Sequence, residues 1–496
     1  MRDQLFHLPG NSNISIQAQI REMLVEAILS GQMPIGDPLP SSRKMAKTLK
    51  VSRNTVVIAY QGLVDDGFLI SKERSGFYVD EDILSGRAEI PQSDKVAEAE
   101  PTGGPDWDNK ITTRSLDQPQ TNRPRNWMDY PYPFIYGQVD HTLFPLNAWR
   151  DCSRTALGAK EMEDWTRDSY GEDDPLLIEQ IRTRLLPRRG IAASNDQILI
   201  TMGAQNALYL LASLLISDET TVGLEDPGYL DVRNIFALNT QRLKPIAVDI
   251  SGLPVDGQLD DCDLVYVTPS HQYPTTATMP LERRQALLAR AAEKDFLIVE
   301  DDYDPEASYV TEPIPALKSL DDNGRVIYVG SLSKSLFPGL RIGYLVGPAK
   351  LIDEARSLRK LIMRHSPTNN QRTTALFLSQ GHHDSLVNRL HRVYRARWEK
   401  MAETLAKHLP DAAKTPTIGG TSFWVRGPDE LDADDLARIA DEQGLIIEPG
   451  RINFLGNDKP CNYFRLGFSS IPIEKIEPGI KLLASLIDQQ TGPKKI

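Results

Sequence analysis

The chain has 496 residues, 40% hydrophobic and 25% charged, a mixture that suits soluble domains and provides more than one core. Its 68 Asp plus Glu against 56 Lys plus Arg give a net charge of −12, which excludes a protein that coats nucleic acid along its whole length; DNA contact has to come from a local basic patch. Cys152, Cys262 and Cys461 form neither a disulfide framework nor a CxxC metal pattern, so a cytoplasmic protein without a bound metal is expected.

The N-terminal run MRDQLFHLPG lacks the apolar stretch of a signal peptide. The longest apolar run, Ala207–Ile216, is about half the ~20 residues a membrane span needs, so no membrane partner is expected. In the first 80 residues, Ile16, Ile20, Met23, Leu24, Ala27 and Ile28 recur at helical spacing up to Gly31. After four residues that break the chain (Pro34, Gly36, Pro38, Pro40), Ser41 or Ser42 can cap a second helix carrying Met45, Ala46 and Leu49. Ser52 can cap a third, with Val56, Tyr60, Leu63 and Val64 inward and Gly67 as its stop. Phe68–Ile70 and Gly76–Val79 read as a hairpin. Three helices and a hairpin are the order of a winged helix-turn-helix.

Charge placement makes this unit a DNA reader. Residues 1–80 carry 9 basic and 8 acidic side chains, yet Arg43, Lys44, Lys47, Lys50 and Arg53 cluster over 41–54 with no acid among them. This spans the second helix and the start of the third, which cross the DNA backbone and enter the major groove. Arg53, Asn54 and Thr55 suit guanine, adenine and phosphate or base edges respectively, and Lys72 and Arg74 sit at the hairpin tip. The stretches ILSGQMPIGDPLPSSRKMA, VSRNTVVIAYQGLVDDGFL and SGFYV resemble the N-terminal domain of GntR-type transcription regulators. The resemblance implies Arg43, Arg53, Asn54, Thr55 and the wing residue Gly76 as contacts to double-stranded DNA.

Residues 81 to about 125, with PTGGPD and QPQTNRPR, have low apolar content and no period, and an extended or disordered linker is expected there. From about 126 strands alternate with helices: Gln197–Thr201, Thr221–Glu225, Asp263–Thr268, Phe296–Asp301, Arg325–Gly330 and Ile342–Val346 read as buried strands of a largely parallel α/β sheet. A smaller α+β lobe is expected over about 385–496.

Several pieces of this domain make sense together around pyridoxal 5′-phosphate. In Gly330-Ser331-Leu332-Ser333-Lys334, a lysine at a strand end can form an imine with an aldehyde. Arg341 offers a fork, and Ser331 a hydroxyl, for a phosphate. Asp301-Asp302-Tyr303 ends another strand; a carboxylate there can keep a pyridine nitrogen protonated, and Tyr303 can bond the ring's 3′-oxygen. Gly203-Ala204-Gln205 opens a helix whose N–H groups can cradle phosphate. Tyr229 can stack on the ring, and Arg465 can pair with a ligand carboxylate.

This set, over about 130–490, resembles the fold-type I pyridoxal phosphate enzymes of the aspartate aminotransferase superfamily. The resemblance implies Lys334 as the imine lysine, Asp301 rather than Asp302 as the pyridinium partner, and Tyr170 as a residue that reaches the neighbouring subunit's phosphate in a homodimer. Where the family carries an Asn-Pro-Thr-Gly-like turn, this chain has His271-Gln272-Tyr273-Pro274-Thr275-Thr276, and His271 or Tyr273 is expected to take over part of the ring contact. After Tyr170, Glu172-Asp173-Asp174 interrupts the family's small loop. Joined by a linker, the two halves resemble the MocR subfamily of GntR-type regulators. That implies domains at 1–80 and 126–496, a head-to-tail homodimer, and sensing of a small amino compound through Lys334. A regulator sensing pyridoxal phosphate itself, controlling vitamin B6 synthesis, and an active aminotransferase with an accessory DNA module are the alternatives, in that order.

Overall fold

A computed structural model describes residues 6, 8, 14–73, 75–84, 104–113, 115–121, 123–168, 171–309, 314–410, 419–456 and 458–492. The chain divides into two compact units, Met1–Lys110 and Ile111–Ile496.

The first unit is a winged helix-turn-helix. Helix α1 (Ile16–Leu29) buries Ile20, Leu24, Ala27 and Ile28, while Ile16 stays out at 50% exposure. Ser41 is the residue that caps α2 (Ser42–Leu49), its hydroxyl accepting from the Lys44 N–H at 3.3 Å. Ser52 does the same for α3 (Arg53–Asp65), accepting from Thr55 N–H at 3.1 Å. Strands β1 (Leu69–Lys72) and β2 (Gly76–Val79) pair antiparallel with Leu69 opposite Val79 and Lys72 opposite Gly76. Met45, Val56, Tyr60 and Leu63 close the core with Leu69 and Val79, and the buried Tyr60 hydroxyl is satisfied by the Pro40 carbonyl at 2.8 Å.

The second unit begins with β3 (Tyr132–Pro133) and carries a seven-stranded sheet built from β4 (Ile198–Thr201), β5 (Val222–Asp226), β6 (Leu243–Ala247), β7 (Leu264–Val267), β8 (Leu297–Asp302), β9 (Val326–Ser331) and β10 (Gly343–Val346). The order is β4-β10-β9-β8-β7-β5-β6; β10 runs antiparallel to both neighbours and the other pairings are parallel. All six strands expected from the sequence are present, each shifted by at most a residue or so. The unforeseen β6 contains Lys244 and Pro245, residues that disguise a strand and that only an edge position tolerates.

Both faces of the sheet are covered, as parallel strands require. The helices Ala204–Leu215, Leu230–Ala237 and Ala349–Met363 pack on the face carrying Tyr266, Val299 and Val329. The helix Leu281–Lys294 covers Val265, Ile298 and Val326 on the other. The smaller lobe holds a sheet of β11 (Ser422–Arg426), β14 (Tyr463–Gly467) and β13 (Glu448–Pro449), in that order. β12 (Leu445–Ile446) pairs with β3, tying this lobe back to the start of the unit. The long helices His382–His408 and Ile473–Thr491 bury Leu386, Leu390, Ile476 and Ile480 in its core. Among the described residues no helix is long and apolar enough to cross a membrane.

Candidate cofactor and effector site

A cavity of ≈ 500 Å³ opens at the carboxyl ends of β7, β8 and β9, where ligands of open parallel sheets bind. Its lining brings together Ala204, Gln205, Tyr229, Tyr273, Asp301, Tyr303, Ser331, Ser333, Lys334 and Arg341, pieces scattered over 137 positions in sequence.

The strand period of two separates the neighbouring acids of β8. Asp301 points to the face of Tyr266 and into the cavity; Asp302 points to the other face. There Asp302 accepts from Arg189 Nε at 2.7 Å and from the Tyr328 hydroxyl at 2.9 Å, a buried structural pair. Asp301 Oδ2 accepts from the Tyr266 hydroxyl at 2.7 Å, and its buried Oδ1 has no partner. Burial pushes the Asp301 carboxyl up to about 7, against the pull of the Tyr266 hydrogen bond. An orphaned carboxylate oxygen facing a cavity fits a cationic N–H, the feature a protonated pyridine ring presents.

Lys334 lies between this acid and the opposite wall, where its Nζ sits 4.4 Å from the centroid of the Tyr136 ring. Burial pushes its amine down to about 8, with Asp304 opposing. A substantial neutral fraction near physiological pH is what imine chemistry needs. Gly137 (φ +80°) stands opposite it: a Cβ there would come within 2.7 Å of Lys334 Nζ and the lysine tip would have to shift. At the other end, Gly203 (φ +78°) turns the chain from β4 into the helix Ala204–Leu215, presenting the first N–H groups to the cavity. Arg341, itself in the left-handed region, reaches over this turn and donates to the Met202 carbonyl at 3.1 Å. With Ser331 and Ser333 beside it, this end can take a phosphate.

Tyr229 and Tyr273 stand edge to face with centroids 5.0 Å apart, and the Tyr229 hydroxyl donates to Asp231 at 2.9 Å. His271 is absent from the lining: it is buried beside Ser308, 3.4 Å away, and burial pushes its imidazole down to about 4. Of that pair, only Tyr273 lines the cavity. Arg465 is absent from the lining as well. Its Nε and Nη2 donate to Glu448 Oε2 at 3.0 and 2.6 Å, its Nη2 also donates to the Tyr273 hydroxyl at 2.8 Å, and its Cζ lies 3.8 Å from the Tyr136 ring centroid. A carboxylate of the chain itself occupies the place foreseen for a ligand's. Tyr170 and Arg74 lie outside the described residues.

Tyr136, Gly137, Tyr266, Gln120, Thr121 and Arg123 line the cavity without having been foreseen. Tyr266 had a signal, a phenol in the otherwise aliphatic strand LVYV; the other five sit in stretches with no periodicity. On the first unit, Arg43, Arg53 and Asn54 are exposed, Arg53 Nε donates to Ser42 at 3.3 Å, and Thr55 shares a 2.7 Å hydrogen bond with Ser52. Lys72 Nζ lies 4.7 Å from the Tyr78 ring centroid, and Gly76 adopts φ +110°, a conformation that favours glycine, in open space.

An aminotransferase-type sheet with this constellation, carried by a chain that opens on a winged helix-turn-helix, defines a regulator built on an enzyme fold. Comparison with known proteins agrees. Residues 142–481 match the aminotransferase class I and II family, and residues 16–79 the gntR family of bacterial regulatory proteins. The HTH-type transcriptional regulator TauR of Rhodobacter capsulatus is 44% identical over 97% of this chain and 98% of its own. The probable rhizopine catabolism regulatory protein MocR of Rhizobium meliloti is 30% identical over 96% and 95%. The kynurenine aminotransferase of Pyrococcus horikoshii, solved in complex with PMP, superposes with a TM-score of 0.70 and 28% identity over 77% of this chain and 98% of its own. The chain belongs to the MocR subfamily of GntR-type transcription regulators, DNA-binding proteins with an aminotransferase-like domain.

Proposed function

We propose that this regulator holds pyridoxal 5′-phosphate in the ≈ 500 Å³ cavity and senses a small amino compound that replaces Lys334 as the cofactor's amine partner. The observation that carries this reading is the unpartnered, buried Asp301 Oδ1 in a cavity that Lys334 also lines. When bound, the cofactor supplies an aldehyde carbon that condenses with amines and a ring that withdraws electrons. Asp301 holds the proton on the ring nitrogen, and Tyr303 bonds the ring oxygen. Tyr229 and Tyr273 flank the ring. Ser331, Ser333, Arg341 and the N–H groups of Ala204 and Gln205 hold the phosphate. The working form is a head-to-tail homodimer, with the partner subunit's Tyr170 completing the phosphate end. Arg43, Arg53, Asn54, Thr55, Lys72, Arg74 and Gly76 face double-stranded operator DNA. Displacing Lys334 changes the packing around the cavity and biases DNA affinity, a coupling of typically ~1–3 kcal/mol that acts in both directions.

The test is DNA affinity, read by fluorescence anisotropy on the promoter region, for wild type and Lys334→Ala, with cofactor and with or without a library of amino compounds. The expected outcome is a ligand response of roughly 5–150-fold in wild type that Lys334→Ala loses; an equal response in both discards the exchange at Lys334. A full response to cofactor alone favours a sensor of the vitamin, and steady-state transamination with a 2-oxo acid acceptor favours an enzyme.

A further inference from the structure

The period of α3 buries Val56, Ala59, Tyr60 and Leu63 in the core of the first unit. Arg53 Nε donates to Ser42 at 3.3 Å, which turns that edge of α3 toward α2. The Arg21 guanidinium lies 3.8 Å from the Cβ position of Gly62 and pairs with Asp66, so α1 covers the opposite edge. The arc between the two edges carries Asn54, Val57, Ile58 and Gln61, all exposed. Val57 is 37% and Ile58 45% exposed, and both stand outside the hydrophobic core of the unit. Val57 is one turn beyond Arg53, and Ile58 one turn beyond Asn54.

The outward face of a surface helix is ordinarily polar. A single exposed apolar residue needs no explanation, but these two are adjacent, branched and set beside a basic cluster. Arg43, Lys44, Lys47, Lys50 and Arg53 are exposed on α2, at its end and at the start of α3, whereas the far end of α3 carries Asp65 and Asp66. Phosphates attract the first end and repel the second, so the first two turns, which include Val57 and Ile58, are the part that suits the major groove. Base edges in that groove offer hydrogen-bond donors, acceptors and one apolar group, the C5 methyl of thymine. A branched aliphatic side chain has no hydrogen bond to offer and gains there only by covering that methyl.

We propose that Val57 and Ile58 form a thymine-reading surface, covering the C5 methyl of a thymine next to the bases that face Arg53 and Asn54. The inference rests on the contact of α3 with operator DNA given above. Four residues of helix rise about 6 Å, against about 3.4 Å per base pair, so the thymine lies within about two base pairs of the base that Asn54 faces. The polar residues at the start of α3 discriminate by hydrogen bonds; the apolar pair adds a preference for A·T over G·C and fixes which strand carries the thymine.

For the test, the full chain selects duplexes from a random-sequence pool, and each thymine of a selected duplex is then replaced singly by uracil, which keeps every hydrogen-bonding group and lacks only the methyl. Affinity is read by fluorescence anisotropy at fixed salt. For wild type, uracil at one or two neighbouring thymines is expected to weaken binding about fourfold each, the scale of one buried methyl. Val57→Ala and Ile58→Ala are each expected to bind the thymine duplex less tightly and to show no uracil penalty at the thymine the lost side chain covered, while any penalty at other thymines stays. Both positions are exposed and alanine is a good helix former, so α3 keeps its fold, which circular dichroism checks. A uracil penalty that persists at full size in both variants overturns the assignment. Sequence-specific duplexes that wild type binds equally well with thymine or uracil overturn it alone; a chain that selects no duplex overturns it together with the DNA-contact reading.

Discussion

Asp301 and Asp302 share a strand end and a chemistry, and they differ in what surrounds them. Asp302 is paired through Oδ2 with Arg189 and Tyr328, which hold its carboxyl below the usual range against burial, whereas Asp301 has only the Tyr266 hydroxyl and a carboxyl raised to about 7 by burial. That raised value is a cost to the cofactor-free protein. Above about 7 the carboxylate is charged in both folded and unfolded chains and the cost is full; as pH falls toward the unfolded value near 4 the folded chain takes up the proton first and the cost fades. Asp301→Asn is therefore expected to raise the melting temperature of the cofactor-free protein at pH 8 by a few degrees and by less at pH 5. The same change weakens cofactor binding by 10-fold or more, since a neutral amide no longer favours the protonated ring. Thermal melts at the two pH values and a cofactor titration check both halves; a variant that melts lower at pH 8 contradicts the assignment of cost. Lys334 follows the opposite rule, being held down to about 8 by burial, so capture of the cofactor is expected to quicken with pH and level off above that value, as stopped-flow absorbance would show.

At the level of elements, the phosphate end depends on how closely β10 approaches the turn after β4. A Cβ on Gly343 would stand 2.7 Å from the carbonyl carbon of Gly203 and 3.0 Å from the Ala204 nitrogen, both backbone atoms with no freedom to yield. Gly343→Ala is expected to cost ~1–3 kcal/mol of stability through overpacking and to displace the helix N-terminus that faces the cavity. Denaturant unfolding measures the first effect, and competition between the cofactor and inorganic phosphate measures the second. The winged helix-turn-helix is organised by local signals instead: Ser41 and Ser52 each close the first turn of a helix with a single hydroxyl.

For the molecule as a whole, a net charge of −12 sits beside a compact basic patch on α2 and α3. The DNA affinity of such a chain is expected to fall linearly in log–log form with salt, because phosphate contacts release counterions. Arg43→Ala should lower that slope by about one and weaken binding to all sequences alike, while Asn54→Ala should leave the slope unchanged and relax sequence preference. Anisotropy titrations at three salt concentrations separate the two. The acidic remainder of the chain adds specificity, since it penalises loose association with DNA away from the patch.

The two-unit plan, the winged helix-turn-helix and six strands of the large sheet follow from periodicity, caps and turn residues, which act over a few positions and so leave their mark in the sequence. That Lys334, Asp301, Tyr303 and Arg341 gather in one cavity was legible because a strand end, a small-residue turn and a reactive side chain coincide. Packing decided the rest. Only the assembled sheet separates Asp301 from Asp302, turns His271 away from the cavity, and admits β6 at its edge despite Pro245. The bond between Arg123 and Glu448 joins residues 325 positions apart, and neither segment carries a pattern that names the other. Contacts of that range are settled by which surfaces meet in the folded core, and they are the ones that give Arg465 an internal partner.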